Sequence, residues 1–331
     1  MKLTIIGGGS WGVTLANILS CNGHQVLIYE RSYEKVEIIN NLHVNPHFPN
    51  YSIEKSIVGT TELETAMAYS DKIVLAIPSK AFRPVLKQIQ EVANEPKLFI
   101  NVAKGIEPDT LYTISQVVYD ELDNNLIKGF VTLSGPSLAK DVMDKKITLV
   151  VAASKEIEDA NLVQQLFSNQ EYFRVYTSTD LLGVEANGSV KNAIALIAGI
   201  VEGLDLGENA RAALICRGLD ELKKVTSTYG GKPESLFGLS GLGDLIVTSI
   251  SRKSRNFQAG LKISAGLNIE DIERDSKEIV EGPRTIISCH QIALKNQLEL
   301  PIIDTAYRVL YEDADLRSSI LSLMERDLRS E

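Results

Sequence analysis

The sequence predicts an α/β first part built on a doubly wound, mostly parallel sheet over residues 1–180, followed by an all-α second part over residues 181–331. Three observations carry this expectation. Short apolar runs alternate with helical patterns as far as Tyr176, as the βαβ units of a parallel sheet require. After Thr177-Ser178-Thr179-Asp180, a cluster suited to capping a helix, no further alternating strands occur. A chain of 331 residues also exceeds the roughly 100 to 200 of a typical domain, so two cores are expected.

Composition narrows the function classes. Apolar residues at 44% and charged residues at 23% suit a compact protein and exclude a disordered or fibrous chain. With 34 Lys and Arg against 43 Asp and Glu, the net charge of -9 argues against nucleic acid or an anionic membrane as the main partner. An anionic small molecule would therefore need a local basic cluster. Cys21, Cys216 and Cys289 lie far apart without CxxC spacing, so neither a disulfide framework nor a zinc site is expected. His43 and His47 flank Pro46 and lie on no HExxH-type helix, and no metal is expected. No apolar run approaches the ~18 residues of a membrane span, and Met1 opens directly on a strand pattern; the expectation is a cytoplasmic protein without membrane insertion. Nothing fixes the oligomeric state, although a homodimer is admitted.

In chain order, Leu3 to Ile6 is a short apolar strand, and Gly7-Gly8-Gly9-Ser10-Trp11-Gly12 leads from it into the helical run Val13 to Ser20. G-x-G-x-x-G at a strand-to-helix turn is the signature of a Rossmann domain that binds a dinucleotide. Gly7 permits the tight turn, Gly9 lets the backbone approach a pyrophosphate, and Gly12 lets the helix pack closely on the sheet. A second strand, Gln25 to Tyr29, ends in Glu30, roughly 20 residues on, where a carboxylate accepts hydrogen bonds from an adenosine ribose. Arg31 follows and is able to pair with a 2'-phosphate instead, so NAD and NADP both stay open, with Glu30 leaning to NAD. For Trp11, packing on the cofactor and filling the core are equal alternatives.

Further strands are expected at Lys72 to Ile77, Lys97 to Val102, Ile147 to Ala152 and Tyr172 to Tyr176. Polar motifs follow three of the apolar runs: Pro78-Ser79, Lys104-Gly105 and Ser134-Gly135-Pro136-Ser137. Ligands of open α/β sheets bind beyond the carboxyl ends of strands, so the shared position favours one site over unrelated turns. Lys104 is the most telling, being a cation at that edge.

The second part opens with a helix from Val184 to Leu204. Gly188, Lys191, Asn192, Ala195 and Gly199 form a narrow small-residue stripe on it, apart from an apolar face of Val190, Ile194, Ile197 and Val201. A lysine among small apolar neighbours is desolvated, which disfavours its charged form; the plain alternative is a lysine snorkelling from a helix edge. The stripe is expected to face a cleft between the domains and to bring Lys191 and Asn192 to a nicotinamide. Asp244, flanked by Gly243 and Leu245, needs a partner, and Lys191 is the obvious one; catalysis and a structural salt bridge are rival accounts. Ser254 caps a helix starting at Arg255, which places Arg255, Asn256 and free amides at a positive helix end, a phosphate site in outline or else a solvated basic turn. Helices Arg284 to Asn296 and Ile302 to Tyr311 complete the pattern.

Taken together, GGGSWGVTLA, HVNPHFPN, VAKGIE, SGPSLA, GSVKNAIALIAGI, ENARAALICRGL, GLSGLGDLIVT, SRNF and VEG stand in the order found in the soluble NAD(P)-dependent glycerol-3-phosphate dehydrogenases, and the chain resembles that family, above all its bacterial type, over nearly its whole length. The resemblance implies interconversion of glycerol 3-phosphate and dihydroxyacetone phosphate, supplying phospholipid synthesis. It makes Lys191 the acid/base, with Asp244 and Lys104 beside it, and puts Lys104, Gly135, Ser137, Asn192, Ser254, Arg255 and Asn256 at the small phosphorylated substrate. It assigns Ser10, Trp11, Arg31, Lys104, Ala139, Arg255, Ile279 and Glu281 to the cofactor, beside the glycines and Glu30. Asn187, Ser189, Leu138 and the Phe257-Gln258 pair depart from the family pattern, which touches packing and cofactor fit more than chemistry. Two other readings remain: a lysine-dependent dehydrogenase of another hydroxy acid, and a non-catalytic dinucleotide sensor.

Overall fold

The computed structural model describes residues 1–275 and 279–327. Its chain divides into two compact units, Met1–Lys104 with Tyr112–Glu185, and Gly105–Leu111 with Ala186–Glu331.

The first unit is built on strands β1 (Lys2–Ile6), β2 (Gln25–Tyr29), β3 (Val44–Asn45), β4 (Phe48–Ser52), β5 (Val58–Thr60), β6 (Lys72–Leu75), β7 (Lys97–Asn101), β8 (Ile127–Ser134), β9 (Thr148–Ala153) and β10 (Phe173–Ser178). Eight of them form one sheet in the order β10-β9-β8-β7-β6-β1-β2-β5, and β3 pairs with β4 in a separate antiparallel hairpin. The large sheet is parallel at every pairing except β8 with β9. Its strands are apolar runs because both faces are covered. Leu3, Ile5, Val74, Ile100 and Val131 point to the face that holds the Ser10–Cys21 and Ile157–Phe167 helices. Ile6, Ile73, Leu75, Phe99 and Phe130 point to the other, under the Phe82–Val92 and Ile114–Glu121 helices. From β1 the chain first builds outward through β2 and β5, then returns to β6 and builds the other way. The order thus reverses between β1 and β6, the position beyond whose carboxyl ends open α/β sheets bind ligands.

In the second unit there is no β-strand among the described residues. Its core gathers Val190, Ile194 and Ala198 of the Leu181–Gly203 helix with Leu222 and Val225 of Glu208–Thr228, Phe257 of Arg255–Ser264, Ile292 of Gly282–Asn296 and Ile303 of Pro301–Tyr311. The boundary between units falls inside the Leu181–Gly203 helix, a few residues beyond the start of the helical pattern, because Leu181 packs in the sheet's core and Val184 beside Val151 and Ala153. In return Ile106 and Leu111 lie in the helical core, where Ser288 Oγ donates to the Ile106 carbonyl and the Tyr229 hydroxyl to that of Leu111. Among the described residues, no helix is long and apolar enough to cross a membrane.

A buried carboxyl ties two of these helices together. Pro301 begins the Pro301–Tyr311 helix, and the next two amides, of Ile302 and Ile303, donate to Glu221 Oε1 and Oε2 at 2.7 and 3.1 Å. Burial pushes the Glu221 carboxyl from its ordinary 4.5 up to about 7, against the pull of those two amides. A carboxyl with a raised folded-state pKa contributes stability that is complete below the unfolded value and lost as pH rises through the folded one. Stability is therefore expected to fall between pH 4.5 and about 7, with a Glu221 share on the order of 3 kcal/mol. Glu221→Gln should flatten that fall while lowering stability throughout, since its amide turns a donor toward a backbone N–H. Denaturant midpoints across the interval check this, and an unchanged slope in the variant counts against it.

Candidate active site

The glycine loop occupies the sheet's reversal point. Gly7 has φ +116, and a Cβ there would collide with the carbonyl of Ala76, the residue that follows β6 and donates its own amide to Ile6. A Cβ on Gly12 would strike the Gly7 carbonyl, so these two positions admit only glycine. Gly9 differs: among the described residues, a Cβ there would meet nothing within 4 Å. It also stands at the N-cap of the Ser10–Cys21 helix, which receives no side-chain cap. An uncapped helix start with open space on its glycine is a cradle that a pyrophosphate fits. Ser10 opens the helix, and Trp11 is half-buried with its ring packed against the sheet core.

Glu30 lies beside the loop. Its Oε2 accepts the Gly8 amide at 3.1 Å, and its Oε1 the Ser32 amide at 3.1 Å, while Lys35 Nζ stands 3.9 Å away. A carboxylate offers about four acceptor sites, so two amides leave room for ribose hydroxyls. The neighbouring Arg31 is exposed.

At the ends of β7 and β8 the structure joins two of the three polar motifs. Lys104 Nζ donates to the Gly135 carbonyl at 3.1 Å, and Ser137 Oγ donates to the same oxygen at 3.0 Å. Ala139, half-buried, begins the Ala139–Met143 helix just beyond.

In the helical unit Lys191 does not snorkel: it is 5% exposed. Its Nζ lies 3.0 Å from Asp244 Oδ1, the partner expected from the sequence, and donates to Thr248 Oγ1 at 2.7 Å. Thr248 Oγ1 in turn lies 2.6 Å from the Asp244 carbonyl and 3.1 Å from Asp244 Oδ1. Sequence reasoning passed over Thr248, although it stands four residues after Asp244 on the Asp244–Ile250 helix, the spacing that puts two side chains on one face. At Gly199 the small-residue stripe packs against a neighbouring helix. Gly199 and Gly260 let the Leu181–Gly203 and Arg255–Ser264 helices touch backbone to backbone, and a Cβ on either would strike a carbonyl of the other helix.

Asn192, one residue on, accepts at Oδ1 from Asn256 Nδ2 at 2.8 Å, and Asn256 Oδ1 accepts the Gly282 amide at 2.9 Å. Asn256 therefore bridges three helices. Ser254 is the N-cap, its hydroxyl accepting the Phe257 amide at 3.3 Å, and Arg255 is exposed at the first helical position. Ile279 and Glu281, both half-buried, lead into the Gly282–Asn296 helix.

A glycine cradle at the reversal point of a doubly wound sheet, and a helical unit holding a buried lysine against an aspartate, define a dinucleotide-dependent oxidoreductase. Residues 2–160 match the family model of the NAD-dependent glycerol-3-phosphate dehydrogenase N-terminus, and residues 180–321 that of its C-terminus. The chain belongs to this family. Among similar proteins, the glycerol-3-phosphate dehydrogenase [NAD(P)+] of Acholeplasma laidlawii is 46% identical over 100% of this chain and 99% of its own, and that of Bacillus cereus 43% over 98% and 96%. The crystal structure of the glycerol-3-phosphate dehydrogenase from Coxiella burnetii superposes with a TM-score of 0.92 at 33% identity, covering 98% of this chain and 99% of that one.

The contrast between the loop glycines is testable. Gly12→Ala is expected to lower the melting temperature, because the Cβ must displace the Gly7 carbonyl. Gly9→Ala should melt like the parent yet bind NADH about tenfold or more weakly, its methyl standing where phosphate approaches. A Gly9→Ala protein with parental NADH affinity in a fluorescence titration would place the cradle elsewhere.

Proposed function

We infer that this chain interconverts sn-glycerol 3-phosphate and dihydroxyacetone phosphate, using NAD(H) or NADP(H). The observation that carries the reading is the buried set of Lys191, Asp244 and Thr248 in a member of this family. Removing a lysine and a carboxylate from water costs several kcal/mol per ion, and a well-packed apolar pair would be as stable, so such a pair is better explained by chemistry than by stability.

The bound nicotinamide supplies or removes the hydride. The remaining work falls to the chain. Gly7, Gly9, Gly12, Ser10 and Trp11 hold the dinucleotide's phosphate end, Glu30 and Arg31 its adenosine ribose, and Lys104, Ala139, Arg255, Ile279 and Glu281 complete its contacts. Lys104, Gly135, Ser137, Asn192, Ser254, Arg255 and Asn256 hold the substrate, with the phosphate at the positive end of the Arg255–Ser264 helix. In the reductive direction negative charge develops on the carbonyl oxygen. Protonated Lys191 stabilises that charge and passes its proton from Nζ to the oxygen; in oxidation neutral Lys191 takes the proton back. Asp244 and Thr248 aim the amine, and Asp244 balances its charge. On this reading the protein works in the cytoplasm, supplies glycerol 3-phosphate to phospholipid synthesis and does not act on nucleic acid, which its net charge of -9 supports.

The direct test is oxidation of NADH and of NADPH with and without dihydroxyacetone phosphate. Oxidation that ignores this substrate refutes the reading. Lys191→Ala is expected to lower kcat by roughly 100- to 10,000-fold while NADH titrates almost as before; near-parental turnover would remove Lys191 from the chemistry. For the cofactor, the negative charge of Glu30 beside the ribose disfavours a 2'-phosphate. Glu30→Gln should accordingly raise kcat/KM for NADPH relative to NADH, by about tenfold for each 1.4 kcal/mol of repulsion removed, and an unmoved ratio in steady-state assays means that Glu30 does not set the preference.

A further inference from the structure

One polar network in the sheet unit has no part in the chemistry above. Glu185 is 4% exposed, and its carboxyl is gripped by neutral donors: Oε1 accepts the Ser115 amide at 2.9 Å and Thr132 Oγ1 at 3.0 Å, and Oε2 accepts Ser115 Oγ at 2.5 Å. Thr132 on β8 is the direct cross-strand partner of Asn101 on β7. A hydroxyl has one proton to give. Thr132 gives it to Glu185, so toward Asn101 it acts as acceptor, receiving Nδ2 at 3.2 Å. This fixes which way the Asn101 amide faces. Nδ2 also donates to the Ala103 carbonyl at 3.1 Å, and Oδ1 accepts the Ala103 amide at 2.9 Å. Both backbone polar groups of Ala103 are thus held by one side chain that is 0% exposed. The next residue is Lys104, whose Nζ lies on the Gly135 carbonyl, three residues beyond Thr132 on the same chain.

We propose that Asn101, Thr132 and Glu185 are positioning residues for Lys104, a buried relay that sets the backbone from which the Lys104 amine reaches the end of β8. The proposal rests on the reading of Lys104 as a substrate-side cation. The acceptor at one end gives the relay its direction: Glu185 draws the Thr132 proton, Thr132 draws the Asn101 amide, and Asn101 closes on Ala103. The Glu185–Thr132 and Thr132–Asn101 links are buried, so losing either leaves a donor or acceptor unsatisfied, and the strand end shifts to recover it. A displacement of the order of 1 Å at a substrate-positioning cation is enough to cost up to about 100-fold in rate.

The test is a double-mutant cycle on the full chain, with kcat/KM for dihydroxyacetone phosphate as readout and melting temperature as the control for folding. Thr132→Val removes the central hydroxyl at equal volume, and Asn101→Asp turns an oxygen toward Thr132 Oγ1 and the Ala103 carbonyl. Either is expected to lower kcat/KM about tenfold or more in the parent, and to cost nothing further in a Lys104→Met background. Glu185→Gln, which keeps an oxygen for Thr132, should lose less than Glu185→Ala. Losses of equal size with and without Lys104 would mean that the network only stabilises the sheet, and the proposal falls. If Lys104→Met alone leaves kcat/KM at the parental value, it is the role of Lys104 that fails, a result distinct from an additive cycle.

Discussion

A charged amine buried to 5% exposure sets the terms for the helical unit. Lys191 has to find polar partners without water, and Asp244 and Thr248 provide them from one face of one short helix. Those partners hold only if the surrounding helices sit close and in fixed register. Gly199 and Gly260 allow backbones to touch, and the Asn256 amide locks the Arg255–Ser264 helix to Asn192 on one side and Gly282 on the other. A looser arrangement would admit water and return the lysine to its solution behaviour. The same tightness explains why polar residues in this core are bridges between helices: each must satisfy its neighbour as well as itself.

Carboxyls in the two interiors are handled in a different way. Glu185 and Glu221 are held by hydroxyls and amides, and burial pushes both upward in pKa, Glu221 to about 7. Hydrogen bonds accepted from amides and hydroxyls offset part of that burial and tie each carboxyl to a helix start or a threonine. Asp244 alone among these three stands against a lysine. Asp244 thus has a lysine amine as its partner, while amides and hydroxyls hold Glu185 and Glu221. The raised carboxyls make stability sensitive to pH.

What the sequence made legible follows from how local each cause is. The turn at Gly7, the close packing at Gly12 and the cap at Ser254 each depend on a few consecutive residues, and the structure places them as expected, Ser254 to the residue. The Lys191–Asp244 pair was legible because both residues sit in apolar surroundings that demand a partner. The antiparallel β8–β9 pairing and the short strands β3, β4 and β5 were not, since pairing direction and edge strands are settled by the whole sheet. Asn101 and Thr132 lie far apart in sequence and meet only through the β7–β8 register. Thr248 carried a signal, its four-residue spacing from Asp244, which had no meaning until that helix was placed. The stripe through Gly199 was read by its shape alone, and a small-residue surface serves a helix neighbour as well as a ligand.

The net charge of -9 stands against a substrate and a cofactor that are both anions, and the conflict is resolved by distance. At physiological salt, exposed charges more than ~8 Å away are largely screened, so the acidic surface at large matters little at the binding positions. On the proposed reading what acts there is local: the uncapped start of the Ser10–Cys21 helix, Lys104 at the sheet edge, and Arg255 at the start of its helix. Helix ends have an advantage over added lysines. Their partial positive charge is fixed in direction by the backbone and needs no side-chain ordering, so it selects phosphate geometry as well as sign. Ser254 caps its helix through a single hydroxyl, which satisfies one amide and leaves the remaining field of the helix end unneutralised. An aspartate at that position would cap equally well and cancel the field, so the chemistry of the cap is itself part of the case for an anion at Arg255.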